Sequence, residues 1–387
     1  RRPEESPTSG TDLPGGLIAL KNVLRVSNNP HMSMAVRLQA GHVRAELKYG
    51  SRTGRLVCPP TVHPVVVGEK VLLRTDQGVE AFDAFTGARA WTPQNPMPLY
   101  RNLPELHSTR YYREYSFFGN RIGDKGRHAL AVADGRVFAL GEFLPPLHPT
   151  VRANLRRQSV EESLRRKLSD TSTLAAYALD SGPLGDAGQR LWSVGYAEKD
   201  GALADCKFLS APTPHAGRLY AVAVRLQNLQ LICLDARDGS LLWRSSISQL
   251  PALDRRFAVL ADYAFERGSS PAVAGGRVYV ATNAGVVAAF DAATGRAVWA
   301  YQYDRLGEVR RPFNPNSPVQ ELFYPPNPVL ISRGRVVCLP ADSEDVLAFS
   351  AEDGVELWRA DRNDLRDLSA VDDERLLLSG PGLAVLS

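Results

Sequence analysis

At 387 residues the chain is too long for one small core, and needs either two or three ordinary domains or one large closed architecture. Hydrophobic residues make up 44% and charged residues 23%, the balance of a folded globular protein rather than a disordered one. The formal charge of +4 comes from 46 basic and 42 acidic residues mixed along the chain, which argues against a dedicated nucleic-acid binder, and no run of about 18 apolar residues offers a transmembrane segment.

Residues 1–15 are polar and rich in Pro and Gly, and they begin with Arg1 rather than Met, which reads as the flexible lead of a processed or excised chain. Residues 16–27 (GLIALKNVLRVS) and 34–47 (MAVRLQAGHVRAEL) have strand-like composition. From residue 63 a pattern begins and then recurs. A Pro-led apolar strand (HPVVVG, 63–68) is followed by Gly and a β-rich run (GEKVLLRT, 68–75), and then by AFDAFTGARAW (81–91). The next unit has GRVFAL (135–140) and YALDSGPLGDAGQRLW (177–192), the third GRLYAVAV (217–224) and CLDARDGSLLW (233–243). The fourth reads SPAVAGG (270–276), GRVYVAT (276–282) and AFDAATGRAVW (289–299); the fifth reads NPVLISRG (327–334), GRVVCLP (334–340) and AFSAEDGVELW (348–358).

Aligned this way, all five tryptophans fall at one position: Trp91, Trp192, Trp243, Trp299 and Trp358. Four residues before each stands a glycine, Gly87, Gly188, Gly239, Gly295 and Gly354. Eight before stand Asp83, Asp235 and Asp291, with Ser350 in the last copy, while Asp180 fills the role in the second copy if four residues are inserted before its glycine. The runs are short, rich in β-branched and aromatic residues and bounded by turn residues, so they are strands joined by hairpins. The Asp side chain accepts backbone N–H bonds in the turn, the Gly takes positive φ, and the Trp on the following strand buries its ring against the neighbouring unit. A unit of about 50 residues cannot bury both faces alone, so units stack. The expected fold is all-β: a β-propeller of four-stranded antiparallel blades, six to seven with eight as the upper limit, in one domain over 16–387.

The repeat resembles the PQQ-like repeat, the A-x-D-x-x-T-G-x-x-x-W tryptophan-docking motif of quinoprotein-type propellers. Residues 81–91 and 289–299 match it in full, 233–243 and 348–358 with changes, and 177–192 only with its insertion. The resemblance implies that each Trp stacks between adjacent blades. It also implies one of two functions: a pyrroloquinoline quinone and calcium-dependent alcohol or sugar dehydrogenase, or a non-catalytic, BamB-like propeller that works outside the cytoplasm. The dehydrogenases often carry two adjacent cysteines, and Cys58, Cys206, Cys233 and Cys338 are far apart. Asn283 and Asp342 stand isolated, without the motif of a calcium ligand set. The favoured reading is therefore a non-catalytic scaffold or ligand-binding propeller with protein partners, no catalytic residues and no cofactor; quinone and Ca²⁺ enter only with the dehydrogenase alternative. A third reading is a sensor or binding domain of a larger protein.

Three segments interrupt the repeat. Residues 93–127 are dense in aromatics, and Tyr111, Tyr112, Tyr115, Phe117 and Phe118 form either a partner surface or a secondary core over a blade edge. Residues 142–173 carry an imperfect helical stripe (Val151, Leu155, Val160, Leu164, Leu168), and 304–326 are a further excursion. Together the first two account for the 101-residue interval between Trp91 and Trp192 as one enlarged blade, with a hidden degenerate blade as the alternative. The chain stops inside a sixth unit, where 372–387 reads as two first strands without the turn and Trp. Either strands from 16–27 or 34–47 complete that blade or form an extra degenerate one, which is favoured since an open ring would expose sheet edges, or the chain is truncated and further residues would finish it.

Overall fold

The computed structural model describes residues 64–75, 78–99, 125–143, 171–196, 201–250, 268–305, 324, 326–363, 365–370, 375–380 and 382–386. These form six antiparallel sheets in chain order. The first holds β1 (Val65–Val67), β2 (Lys70–Arg74), β3 (Val79–Asp83) and β4 (Arg89–Trp91). A single helical turn, α1 (Lys125–His128), precedes the second: β5 (Leu130–Ala133), β6 (Arg136–Gly141), β7 (Thr173–Ala178) and β8 (Arg190–Gly195). The third adds a two-residue strand, β9 (Lys207–Phe208), to β10 (Thr213–His215), β11 (Arg218–Arg225), β12 (Asn228–Asp235) and β13 (Leu241–Gln249). Next come β14 (Ala272–Ala274), β15 (Arg277–Ala281), β16 (Val286–Asp291) and β17 (Ala297–Gln302), then β18 (Leu330–Ser332), β19 (Arg335–Cys338), β20 (Asp345–Ser350) and β21 (Glu356–Asp361). The sixth has three strands, β22 (Asp367–Ala370), β23 (Leu376–Ser379) and β24 (Leu383–Leu386). Its first strand therefore lies ahead of 372–387, and that segment supplies the second and third strands rather than the first two.

Burial follows from position in the sheet. The third strands are buried along their length, as in β12, β16 and β20, because a neighbouring sheet covers each face. The outermost strands β13 and β21 alternate between half-buried and exposed residues. The described apolar residues gather into five clusters, and each spans one junction: sheets one and two around Leu72 and Tyr177, two and three around Phe138 and Phe208, three and four around Tyr220 and Phe290, four and five around Tyr279 and Phe349, five and six around Leu339 and Leu378. Sheets stacked through separate, sequential cores make a β-propeller, in which each blade is held by its neighbours.

Between Trp91 and Trp192 the described residues make a single sheet. The two ends of the sheets differ. Turns between first and second strands and between third and fourth strands share one end and are tied by backbone bonds, such as Ala84 N–H to Glu69 O, Ala236 N–H to Gly217 O and Ala292 N–H to Gly276 O. Because adjacent strands are antiparallel, the long connections 92–124, 142–172, 250–271 and 303–329 all leave and return at the opposite end.

Candidate functional site

In the first blade Asp83 Oδ1 accepts bonds from Phe85 N–H, Thr86 N–H and the Thr86 hydroxyl, while Gly87 N–H donates to Asp83 O. Asp291 repeats the arrangement with Thr294 and Gly295. These Thr bonds favour the ionised carboxyl and hold both aspartates below the usual carboxylate range. In the third blade Asp235 instead takes a forked pair with Arg237, and in the fifth Asp353 bonds the Ser350 hydroxyl and Val355 N–H, so the acid has moved three places along the turn.

The second blade corrects the assignment of Asp180. The residue whose amide and carbonyl close this turn is Ala178, bonded to Gln189 O and Gly188 N–H, and Trp192 pairs with Ala176 as Trp91 pairs with Ala81. Nine residues, 179–187, therefore stand where 84–86 stand in the first blade, so the insertion begins before Asp180. Asp180 projects from it as an exposed residue and pairs with Lys70 of the first blade.

Each tryptophan faces Ala or Cys across the strand pair (Ala81, Ala176, Cys233, Ala289, Ala348), and each pairing has a β-bulge directly beside it. The small partner makes room for the indole and the bulge increases local twist. Four rings lie over the motif glycine of the next blade: Trp91 over Gly188, Trp192 over Gly239, Trp243 over Gly295 and Trp299 over Gly354. Trp91, Trp192 and Trp299 donate Nε1–H to Leu179 O, Ala236 O and Ala351 O of that same turn. Trp358 is half-buried against the cluster between sheets five and six.

The Gly-Arg-x-Tyr runs, strand-like in composition, also join the blades. Arg277 Nη1 bonds Ala351 O at 2.7 Å and Glu352 O at 2.6 Å, and the Tyr279 hydroxyl reaches Ala351 O at 3.1 Å. Arg218 and Tyr220 grip Ala292 O and Ala293 O in the same way. Arg277, Tyr279 and Trp299 thus converge on Ala351 O of the following blade, while Ala292 O receives the Arg and Tyr donors alone. The Arg–x–Tyr spacing places both side chains on one face of a strand, which is the signal that was available.

At the junction of blades three and four the buried Trp243 Nε1–H has no hydrogen-bond partner among the described residues. Trp299→Phe should lose a hydrogen bond worth about 1 kcal/mol that Trp243→Phe does not lose. Urea unfolding of the two variants is expected to show Trp299→Phe as the more damaging by about that amount; equal costs would remove the Nε1–H bond from the account.

The opposite end of the sheets carries a polar cluster between blades four and five. Asp342, in the connection between β19 and β20, is fully buried. Its Oδ2 accepts Arg305 Nε at 2.9 Å and Gly285 N–H at 3.1 Å, and its Oδ1 lies 2.5 Å from the Tyr303 hydroxyl. Burial pushes the Asp342 carboxyl above its ordinary value despite Tyr303 and Arg305, and pushes the Tyr303 hydroxyl well up. Arg362 holds the same connection from its other side through Pro340 O and Ser343 O, and its guanidinium stacks 3.5 Å from the Tyr324 ring centroid. Asn283 is buried in the 282–286 turn that supplies the Gly285 amide. Asp342 and Asn283, isolated in sequence, therefore belong to one corner of the fold; Asp342 and Arg305 lie 37 positions apart, which leaves no local spacing to read.

Among the described residues no three His, Cys, Asp or Glu side chains converge as a metal site. Cys206, Cys233 and Cys338 are buried free thiols, and burial pushes the first two up to about 11, which keeps them protonated and unreactive. Tyr111, Tyr112, Tyr115, Phe117, Phe118, the 151–168 stripe, Cys58 and the strand candidates at 16–27 and 34–47 lie outside the described residues.

The family model described as outer membrane protein assembly factor BamB matches residues 175–317 and 268–386. The outer membrane protein assembly factor BamB of Xanthomonas campestris pv. campestris is 39% identical over 90 residues, which is 23% of this chain and 20% of that protein. The match therefore spans a fifth of that relative's length. The crystal structure of BamB from Moraxella catarrhalis aligns over 84% of this chain and 83% of its own, with 14% identity and a TM-score of 0.44. A quinohemoprotein alcohol dehydrogenase from Pseudomonas putida HK5 aligns over 77% of this chain and 41% of its own, with 17% identity and a TM-score of 0.41.

Proposed function

Because the chain belongs to the family of the outer membrane protein assembly factor BamB, we propose that it is a non-catalytic propeller that binds other proteins during outer-membrane assembly, in the periplasm. One observation carries this reading beyond the family: the repeat motif is committed to joining blades. The indoles of Trp91, Trp192, Trp243 and Trp299 each lie over the next blade's turn, and Arg218, Tyr220, Arg277 and Tyr279 hold the same carbonyls. The tight-turn end is thereby occupied with architecture. The end that carries the long connections is where partner-binding groups can vary without disturbing the blade joins.

The test mixes the purified chain with envelope proteins of outer-membrane assembly and, in parallel, with pyrroloquinoline quinone and Ca²⁺. A complex with an assembly protein, no rise in melting temperature with the quinone and no dye reduction with alcohols or aldoses is the expected result. Quinone-dependent dye reduction, or no complex with any assembly protein, would overturn it.

A further inference from the structure

The Tyr303 hydroxyl oxygen lies 2.5 Å from Asp342 Oδ1 and 2.6 Å from Thr282 O. A phenol carries one proton, and a carboxylate and a carbonyl are both acceptors only. With Asp342 ionised, one of these two short oxygen pairs would have no proton between its members and would be repulsive. Both are satisfied when the carboxyl supplies a second proton. Asp342 Oδ1–H then donates to Tyr303 Oη, and Tyr303 O–H donates to Thr282 O. Oδ2 keeps its acceptor bonds from Arg305 Nε and Gly285 N–H, which a neutral carboxyl can also accept.

We infer that Asp342 is a neutral carboxylic acid at neutral pH and that its proton fastens the 339–344 connection of blade five to blade four, so that this blade junction is loosened by deprotonation. Asp342 is wholly buried, an environment that disfavours an ionised carboxyl. From blade four it faces Tyr303 and the partly exposed Arg305, which opposes the neutral form but does not outweigh burial. From its own blade it faces Cys338, whose buried thiol is also pushed up. Arg362 engages the Pro340 and Ser343 carbonyls beside it, and Asp304 and Glu344 flank the cluster as exposed residues. Deprotonation leaves one proton for two short contacts and a buried charge with Arg305 as its counter-ion.

The folded carboxyl thus titrates above its unfolded value of about 3.9. Its contribution to stability is complete below that pH and is lost as pH rises through the folded value. Asp342→Asn tests this, because the amide donates N–H to Tyr303 and its oxygen accepts from Gly285 and Arg305 at every pH. Thermal melting of the full chain between about pH 5 and 8 is expected to show the wild type losing ground to Asp342→Asn as pH rises, with the variant higher by about 2 °C or more at the upper end. A variant that melts below the wild type by a constant amount across this range would mean an ionised Asp342–Arg305 pair, and overturns the inference. Infrared spectroscopy of the wild type needs no variant: a protonated-carboxyl C=O band persisting at pH 7 supports the assignment, and its absence overturns it.

Discussion

Trp299→Ala is expected to lower stability by about 3–5 kcal/mol, the range for deleting a large buried aromatic. The ring is 9% exposed and sits in the core between blades four and five, with ring centroids of Tyr279 at 6.1 Å and Phe349 at 6.2 Å. Deleting it empties the space over Gly354 and removes one of the donors that converge on Ala351 O. Because each junction has its own core, no other core can take over the lost contacts. Urea unfolding with an unchanged slope and a lower midpoint is the expected signature. A cost below about 1 kcal/mol would show that the ring contributes little to the join.

Gly354→Ala is expected to cost about 2–5 kcal/mol, as the sum of overpacking and a left-handed backbone. A Cβ built there falls 2.5 Å from Trp299 Cδ2, and the residue has φ +76°. Gly334 provides the control, since it has φ +73° with nothing within 4 Å of its Cβ. Gly334→Ala should therefore show the backbone cost alone, about 1–2 kcal/mol. The gap between the two variants measures the ring contact, and it should shrink when Trp299 is already Ala. Equal costs for Gly354→Ala and Gly334→Ala would contradict the close approach.

Much of the fold was legible because the repeat is local. The Gly-led second strands, the third strands ending at Asp83, Asp235 and Asp291, and the tryptophan positions all follow from two-residue alternation and turn chemistry within about 25 residues. In the second blade residue type points to Asp180, the aspartate upstream of Gly188, whereas backbone bonding makes Ala178 the turn residue. Residue type misled where hydrogen-bond register decides. The first strand of the sixth sheet, Asp367–Ala370, carries no signal of its own, because it lacks the Pro-led apolar opening of β1, β14 and β18. The Asp342 corner had no sequence signature at all. Its members come from 282–285, 303–305 and 342, and only the stacking of two blades brings them together. The same is true of the converging donors on Ala292 O and Ala351 O, whose Arg and Tyr are spaced legibly but whose acceptor lies more than 70 residues away.

The division between a structural end and a binding end is tested most directly by photo-crosslinking residues placed at each. Leu226 and Glu344 are exposed at the end with the long connections, and Phe85 and Glu352 are exposed at the tight-turn end. Crosslinks to an outer-membrane assembly protein, identified by mass spectrometry, are expected from Leu226 or Glu344 and not from Phe85 or Glu352. Crosslinks to such a protein from Phe85 and Glu352 alone would contradict the assignment of the binding face, and with it the claim that the repeat motif serves only to join the blades.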